Sequence, residues 1–194
     1  MEVAVARIAA HFKLAVAGLS VRPMRPTDDA FCRGLSDEIL RTEFDDMELP
    51  EPMLAGLLAQ QFDARRIGYL RSFPDAEYFV ISDRDVAVGR IVVAIEEAVA
   101  VSRDVARLEP GAARQCRDGQ ALRIIDIALL PAARGDGVGR AVIDGLASVA
   151  KQMNVGRLTL SVQSSNDRAR RLYHRLGFVE LGGEAYRQMT KPVD

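Results

Sequence analysis

Ile125-Asp126-Ile127-Ala128-Leu129-Leu130-Pro131-Ala132-Ala133-Arg134-Gly135-Asp136-Gly137-Val138-Gly139-Arg140-Ala141-Val142-Ile143 is the stretch on which the reading of this chain turns. An apolar run ends at a proline, a turn follows with glycine at 135, 137 and 139, and an apolar helical period begins. The first turn of a helix leaves backbone N–H groups without partners and carries partial positive charge, so it attracts an anion. Glycines spaced by one residue permit positive φ and let a ligand approach the backbone without meeting a Cβ. Arg134 can add a bidentate, permanently charged contact. The backbone is shaped to hold a phosphate group, a pyrophosphate above all.

Two nucleotide fingerprints fail on this turn. A Walker A loop requires Lys-[Ser/Thr] where Arg140-Ala141 follows Gly139. A dinucleotide fingerprint, G-x-G-x-x-G/A, meets Arg140 in its last position when counted from Gly135, and Val142 when counted from Gly137. What remains is Arg-x-x-Gly-x-Gly, filled by Arg134 to Gly139 between a strand and a helix. Downstream, Asn166 suits an N-cap, Ala169, Leu172, Tyr173 and Leu176 share one helical face, and Gly177 suits the stop.

Arg134 to Gly139 resembles the first signature of the GNAT superfamily of acyl-CoA-dependent N-acyltransferases, [Gln/Arg]-x-x-Gly-x-[Gly/Ala]. Asn166, Ala169, Leu172, Tyr173, Gly177 and Phe178 fill its second, Asn-x-x-Ala-x-x-Leu-Tyr-x-x-x-Gly-Phe, without a gap. The resemblance runs from about Leu14 onward. It implies an α/β (α+β) fold with a central mixed, mostly antiparallel sheet flanked by helices, and strands splayed at the CoA site. It implies acetyl-CoA as cosubstrate and a primary amine of a small molecule or peptide as acceptor, attacked directly in a ternary complex. It assigns CoA binding to Ile127 and Leu129 of the central strand, to Arg134, Gly135, Gly137, Val138, Gly139 and Arg140, and to Asn166 and Tyr173. Tyr173 is also the acid that protonates the leaving thiolate; a phenol suits this, its unperturbed pKa of about 10 lying near that of a thiol.

Asp126 interrupts the apolar run Ile124 to Leu130, where a carboxylate is costly without partners. It reads either as the general base, a role the family fills on this strand, or as a structural acid bonded to a turn or to an arginine such as Arg123. Arg140, Arg168, Arg170 and Arg171 would fall near the phosphates if both signature helices point inward. The competing reading is a non-catalytic acyl-CoA-binding or interaction module that kept the cradle and lost the chemistry.

Composition agrees with an enzyme of this kind. At 194 residues and 48% hydrophobic content the chain suits one well-cored domain, 15–194, preceded by an N-terminal extension, 1–14. Charge is balanced, 26 basic against 27 acidic residues, which gives no footing to nucleic acid or an anionic membrane. Cys32, Cys116, His11 and His174 form no metal set, and no metal is expected. Glu2, Arg7, His11 and Lys13 break up the Ala/Val-rich start, so neither a signal peptide nor a membrane span is expected, and the cytoplasm is the expected location. Val3 to Leu14 reads as a weakly amphipathic helix or a loose extension whose apolar side packs on its own domain or on a second subunit.

Apolar spacing predicts a strand over Val16 to Arg25 and helices from Thr27 or Asp28 through Leu40 and from Met53 to Arg71, which rim the acceptor site. Strands follow at Glu77 to Ser82, Ala87 to Glu96 and Leu122 to Leu130, then a helix from Val138 to Met153. Arg157 to Gln163, the Asn166 helix, Val179 to Leu181 and Arg187 to Thr190 complete the order. Residues 98–119 form a long insertion before the central strand, a lid or a solvated loop. The acceptor is not spelled out: Asp37, Glu38, Glu43, Asp45, Asp46 and Glu48 could draw a cationic amine or form a solvated face. A homodimer through edge strands is compatible with the family.

Overall fold

The computed structural model describes residues 8–44, 49–97 and 119–193. The elements are β1 (Leu19–Pro23), α1 (Asp29–Phe44), α2 (Glu51–Ser72), β2 (Glu77–Asp83), β3 (Val86–Glu97) and β4 (Gln120–Leu129). After them come α3 (Val138–Gln152), β5 (Arg157–Gln163), α4 (Asp167–Arg175), β6 (Val179–Gly182) and β7 (Tyr186–Pro192). The strands form one seven-stranded sheet in the order β1-β2-β3-β4-β5-β7-β6. Only β4 and β5 pair in parallel, as a crossover through α3 requires; every other pair is antiparallel.

Period-two alternation divides the sheet into two faces. On one, Phe79, Ile81, Ile91, Val93, Leu122, Ile124, Leu158 and Leu160 join Val142, Ile143, Leu146 and Val149 of α3 and Phe178 in a continuous core. The N-terminal segment completes this layer. Ile8 to His11 form a turn whose Ile8 carbonyl accepts from the N–H groups of His11 and Phe12. Ile8 and Phe12 are buried, Phe12 standing edge-on to Phe79 at 5.2 Å. Both carboxylate oxygens of Glu77 accept the N–H groups of Ile8 and Ala9, at 2.8 and 3.0 Å. The chain then crosses α3 at Gly145, where a Cβ would lie 2.9 Å from the Lys13 carbonyl. From Ile8 onward, therefore, the stretch 8–14 is part of the core; each such burial is worth about 1.5–3 kcal/mol.

On the opposite face α1 and α2 cover β3 and β4, with Leu35, Leu58, Phe62, Val80 and Val92 buried outside the first cluster. Asp28 pins the entry to α1. Its carboxylate accepts two bonds from the Arg22 guanidinium and one from the Arg25 N–H, all at 2.7 Å, and these bonds lower its pKa to about 2. No described helix is long and apolar enough to cross a membrane. The insertion 98–118, most of the acidic run at 45–48 and residues 1–7 lie outside the described residues.

Candidate active site

β4 and β5 part company early. Their pairing covers only Leu122↔Leu158, Arg123↔Thr159 and Ile124↔Leu160, although β4 continues to Leu129 and β5 to Gln163. At the point of separation β4 carries a bulge: Val93 faces Ile124 and Val92 faces Asp126, leaving Ile125 without a partner on β3. Beyond it, the Leu130 N–H donates to the Val88 carbonyl at 2.9 Å, with Leu129 opposite Gly89. Antiparallel alternation then turns the N–H and C=O groups of Ala128 toward β3 and those of Ile127 and Leu129 toward the open side. Gly89 is required here, because a Cβ would sit 2.5 Å from the Ala128 carbonyl oxygen. The wedge thus has one wall of backbone hydrogen-bonding groups at Ile127 and Leu129.

The glycine turn closes the wide end of the wedge. Gly137 has φ 82° at the N-cap of α3 and offers no capping side chain; Gly135 has φ 104°. The first helical bond runs from Ala141 to the Gly137 carbonyl, so the N–H groups of Val138, Gly139 and Arg140 precede it without helical acceptors. A Cβ at Gly135 or Gly137 would meet no protein atom within 4 Å, so the space in front of the turn is open. Gly139 instead packs near Leu172 of α4, which sets the second signature helix beside the first. Arg134 folds back: its Nε donates to the Leu129 carbonyl at 2.9 Å, leaving the outer nitrogens of the guanidinium for an anion. The cradle presents unpaired N–H groups to open space, and the wedge presents the backbone groups of Ile127 and Leu129.

Asp126 stands just past the point where the strands part, and its charge reaches Tyr173 of α4. Tyr173 is 8% exposed, packs edge-on to Phe178 at 5.6 Å, and its hydroxyl makes no hydrogen bond among the described residues. Burial, and secondarily the charge of Asp126, push its pKa to about 12. The bulge places Asp126 on the α1/α2 face, because Leu122, Ile124, Ile127 and Leu129 all turn toward the α3 core. Its partner is Arg90 of β3, not Arg123 or a turn. Arg90 Nε donates to Asp126 Oδ2 at 2.9 Å, and Nη1 donates to the Cys32 carbonyl at 2.9 Å and to Ser36 Oγ at 2.6 Å. Arg123 is taken up by Glu96 and Ser161.

Next to this pair a cavity of about 450 Å³ opens under α1 and α2, lined in part by Cys32, Phe62, Tyr69, Tyr78, Arg90 and Val92. Tyr69, Tyr78 and Tyr173 all have raised pKa values, each chiefly through burial and each further raised by the Asp126 charge. One carboxylate therefore lies within electrostatic reach of all three phenols. Sequence reading missed Arg90, Tyr69 and Tyr78. The available signal was Arg90 itself, a lone charge in the apolar run Val86 to Ile95, to be matched with the lone charge Asp126 of the next strand.

Other candidates are placed elsewhere. Asn166 caps α4, its Oδ1 accepting from the Ala169 N–H at 3.0 Å. Arg140 is exposed and pairs with Asp144 at 3.5 Å. Arg170 turns to Glu180 and Asp167 at 2.9 and 3.1 Å, and His174 also bonds Glu180. Arg168 and Arg171 are exposed on α4. Two other strand carboxylates are occupied: Glu77 accepts from the Ile8 and Ala9 amides, and Glu96 is engaged by Arg123 and Thr159.

The seven-stranded sheet with its helices agrees with solved structures in fold. The PaiA N-acetyltransferase of Thermoplasma acidophilum in complex with coenzyme A superposes with a TM-score of 0.61 at 12% identity, over 90% of this chain and 98% of that one. An acetyltransferase of Thermus thermophilus gives 0.59 at 17%, over 91% and 98%. Ard1 of Thermoplasma volcanium gives 0.55 at 19%, over 91% and 99%. At these identities the likeness shows a common fold. No curated protein matches the chain. The model of the acetyltransferase (GNAT) family matches residues 37–178, from α1 through the cradle to the end of the second signature, and the chain belongs to that family.

Proposed function

We propose that this chain transfers an acetyl group from acetyl-CoA to a primary amine of a small molecule or peptide, by direct attack in a ternary complex. The observation that carries the reading is the parting of β4 from β5 beside the glycine cradle, with Arg90 of the cavity wall bonded to Asp126, whose charge reaches Tyr173. Acetyl-CoA bound in the wedge supplies the activated acyl thioester. Val138, Gly139 and Arg140 N–H groups, with Arg134, take the pyrophosphate. Ile127 and Leu129 backbone groups pair with the pantetheine amides, and the free amide nitrogen of Asn166 faces the same chain.

The chemistry follows from the groups left available. The amine nitrogen bonds to the thioester carbon and the carbon–sulfur bond breaks. The amine proton leaves to Asp126, directly or through water; Oδ1 accepts no bond from a described residue. The departing sulfur takes the phenolic proton of Tyr173. Burial that raises this phenol to about 12 raises a thiol in the same pocket too, so acid and leaving group stay matched while Tyr173 remains protonated near neutrality.

Calorimetry with acetyl-CoA, followed by an amine panel read by mass spectrometry, tests the reading. Binding at micromolar Kd or tighter with acetylated product is expected. Absence of acetyl-CoA binding refutes the proposal, and binding without turnover on any amine leaves an acyl-CoA-binding module.

A further inference from the structure

The cavity beneath α1 and α2 has the wrong charge for a receptor of polyamines or other cationic acceptors. Arg25, Arg65, Arg66 and Arg90 line it, against a single lining carboxylate, Asp29. Arg90 is committed to Asp126, and Arg66 reaches Asp29 at 3.6 Å with both side chains about half exposed. The Arg65 guanidinium makes no hydrogen bond or ion pair among the described residues. Arg65 and Arg66 act inward as well as on solvent: the charge of Arg65 bears on Tyr69 and that of Arg66 on Tyr78. Tyr78 adds an independent sign. Its hydroxyl oxygen is buried at the cavity wall and has no hydrogen-bond partner among the described residues. Buried hydroxyls are normally satisfied, so an orphan in a cavity lined by Arg65 and Arg66 marks the place of an oxyanion. The remaining wall, Met24, Phe62, Leu70 and Val92, is apolar.

We propose that the acceptor is a small primary amine that also bears a carboxylate on an apolar body, as an apolar α-amino acid does. The carboxylate lies against Arg65, Arg66 and the Tyr78 hydroxyl, the body against the apolar wall, and the amine toward Asp126 and Tyr173. This rests on the acetyl-transfer reading for the fate of the amine, but the recognition of the carboxylate stands on the cavity alone. A polyamine would bring its second positive charge up to three arginines. The volume, about 450 Å³, is that of a small-molecule site.

The test compares phenylalanine, methionine and leucine with their carboxamides and decarboxylated amines, and with spermidine. Binding is measured by calorimetry on the protein with CoA present, and kcat/KM with acetyl-CoA. The free acid of at least one series is expected to bind and react about 10- to 100-fold better than its amide, the worth of a hydrogen bond to a charged group. Spermidine is expected to be the poorest ligand. In Arg65→Gln/Arg66→Gln that preference shrinks about 10-fold, and Tyr78→Phe raises KM for the acid more than for the amide. Equal binding of acid and amide, binding of neither in all three series, or a preference for spermidine overturns the assignment. Acids that bind preferentially without being acetylated would sink acetyl transfer and leave the carboxylate site standing; amines acetylated without preference would do the reverse.

Discussion

Replacing Tyr173 with Phe separates chemistry from structure because of how the hydroxyl is held. The ring is buried and keeps its edge-on contact with Phe178 at 5.6 Å, while the hydroxyl makes no hydrogen bond among the described residues. The variant therefore loses no protein hydrogen bond, and its stability at pH 7 should stay within about 1 kcal/mol of the parent, a Tm change under about 4 °C. Loss of a positioned acid costs roughly 10²–10⁴-fold in rate, so kcat should fall at least about 100-fold, with acetyl-CoA affinity unchanged within about threefold. The alkaline limb gives a second measure. The folded pKa is raised from 10 to about 12, so the parent retains this proton where a free phenol would lose it, and its rate should show no decline from Tyr173 deprotonation below about pH 11. The linked stability is complete below pH 10 and disappears as pH rises through 12, amounting to about 3 kcal/mol. The Phe variant has no such proton to lose and should gain on the parent in that window. Assays are thiol release from acetyl-CoA, calorimetry and denaturation across pH 8–12, the range around the shift. A kcat within about 10-fold of the parent refutes the acid role, and a Tm loss beyond about 5 °C at pH 7 refutes the account of the hydroxyl.

Arg90→Met leaves Asp126 nearly buried without its cation, so denaturant unfolding should show a loss of about 3–5 kcal/mol, and Arg90→Met/Asp126→Leu should recover part of it; an additive double-mutant cycle would contradict the pairing. Gly137→Val forces a branched residue to φ 82° and pushes methyls into the open space before the cradle; calorimetry should give acetyl-CoA binding weakened at least about 10-fold in a folded protein. The stability that Asp28 lends is present above its ordinary pKa of 3.8 and is lost as pH falls toward 2, because the Arg22 and Arg25 bonds lower its folded value. Asp28→Asn should remove that acid-side dependence and lower Tm at pH 7 by about 3–10 °C, and an unchanged acid transition would count against it.

Local signals carried much of the architecture. The strand expected at Arg157 to Gln163 has those bounds, and the helix entered at Asn166 is capped by that residue and leaves through Gly177 at φ 87°. The cradle was legible for the same reason: its glycines and the helix start are contiguous. What escaped depends on pairing across distance. Ile124, Ile125, Ile127, Ala128, Leu129 and Leu130 are uniformly apolar, so no alternation betrays which side each faces, and the bulge shows only in the register with β3. Arg90 and Asp126 are 36 residues apart, and their union is a diagonal between strands. Val3 to Leu14 reads as a weakly amphipathic helix or a loose extension packing on its own domain or on a second subunit, and only the tertiary partners of Ile8 and Phe12 on β2 and α3 show which. Nothing in the sequence separates the arginines of α2 from those of exposed pairs such as Arg33 with Asp63, and only the cavity distinguishes Arg65 and Arg66.

The unpaired Ile125 makes the site depend on how many residues β4 contains rather than on which residue stands at 125. Any apolar side chain there should be tolerated, since the position matches no partner on β3. Deleting it would make the pairing with β3 regular with Val92 still opposite Asp126, keep the carboxylate beside Arg90 on the α1/α2 face, and let β4 continue alongside β5. A single missing codon would then close the wedge while the carboxylate and both signature motifs stay in place, leaving the enzyme without a place for its donor.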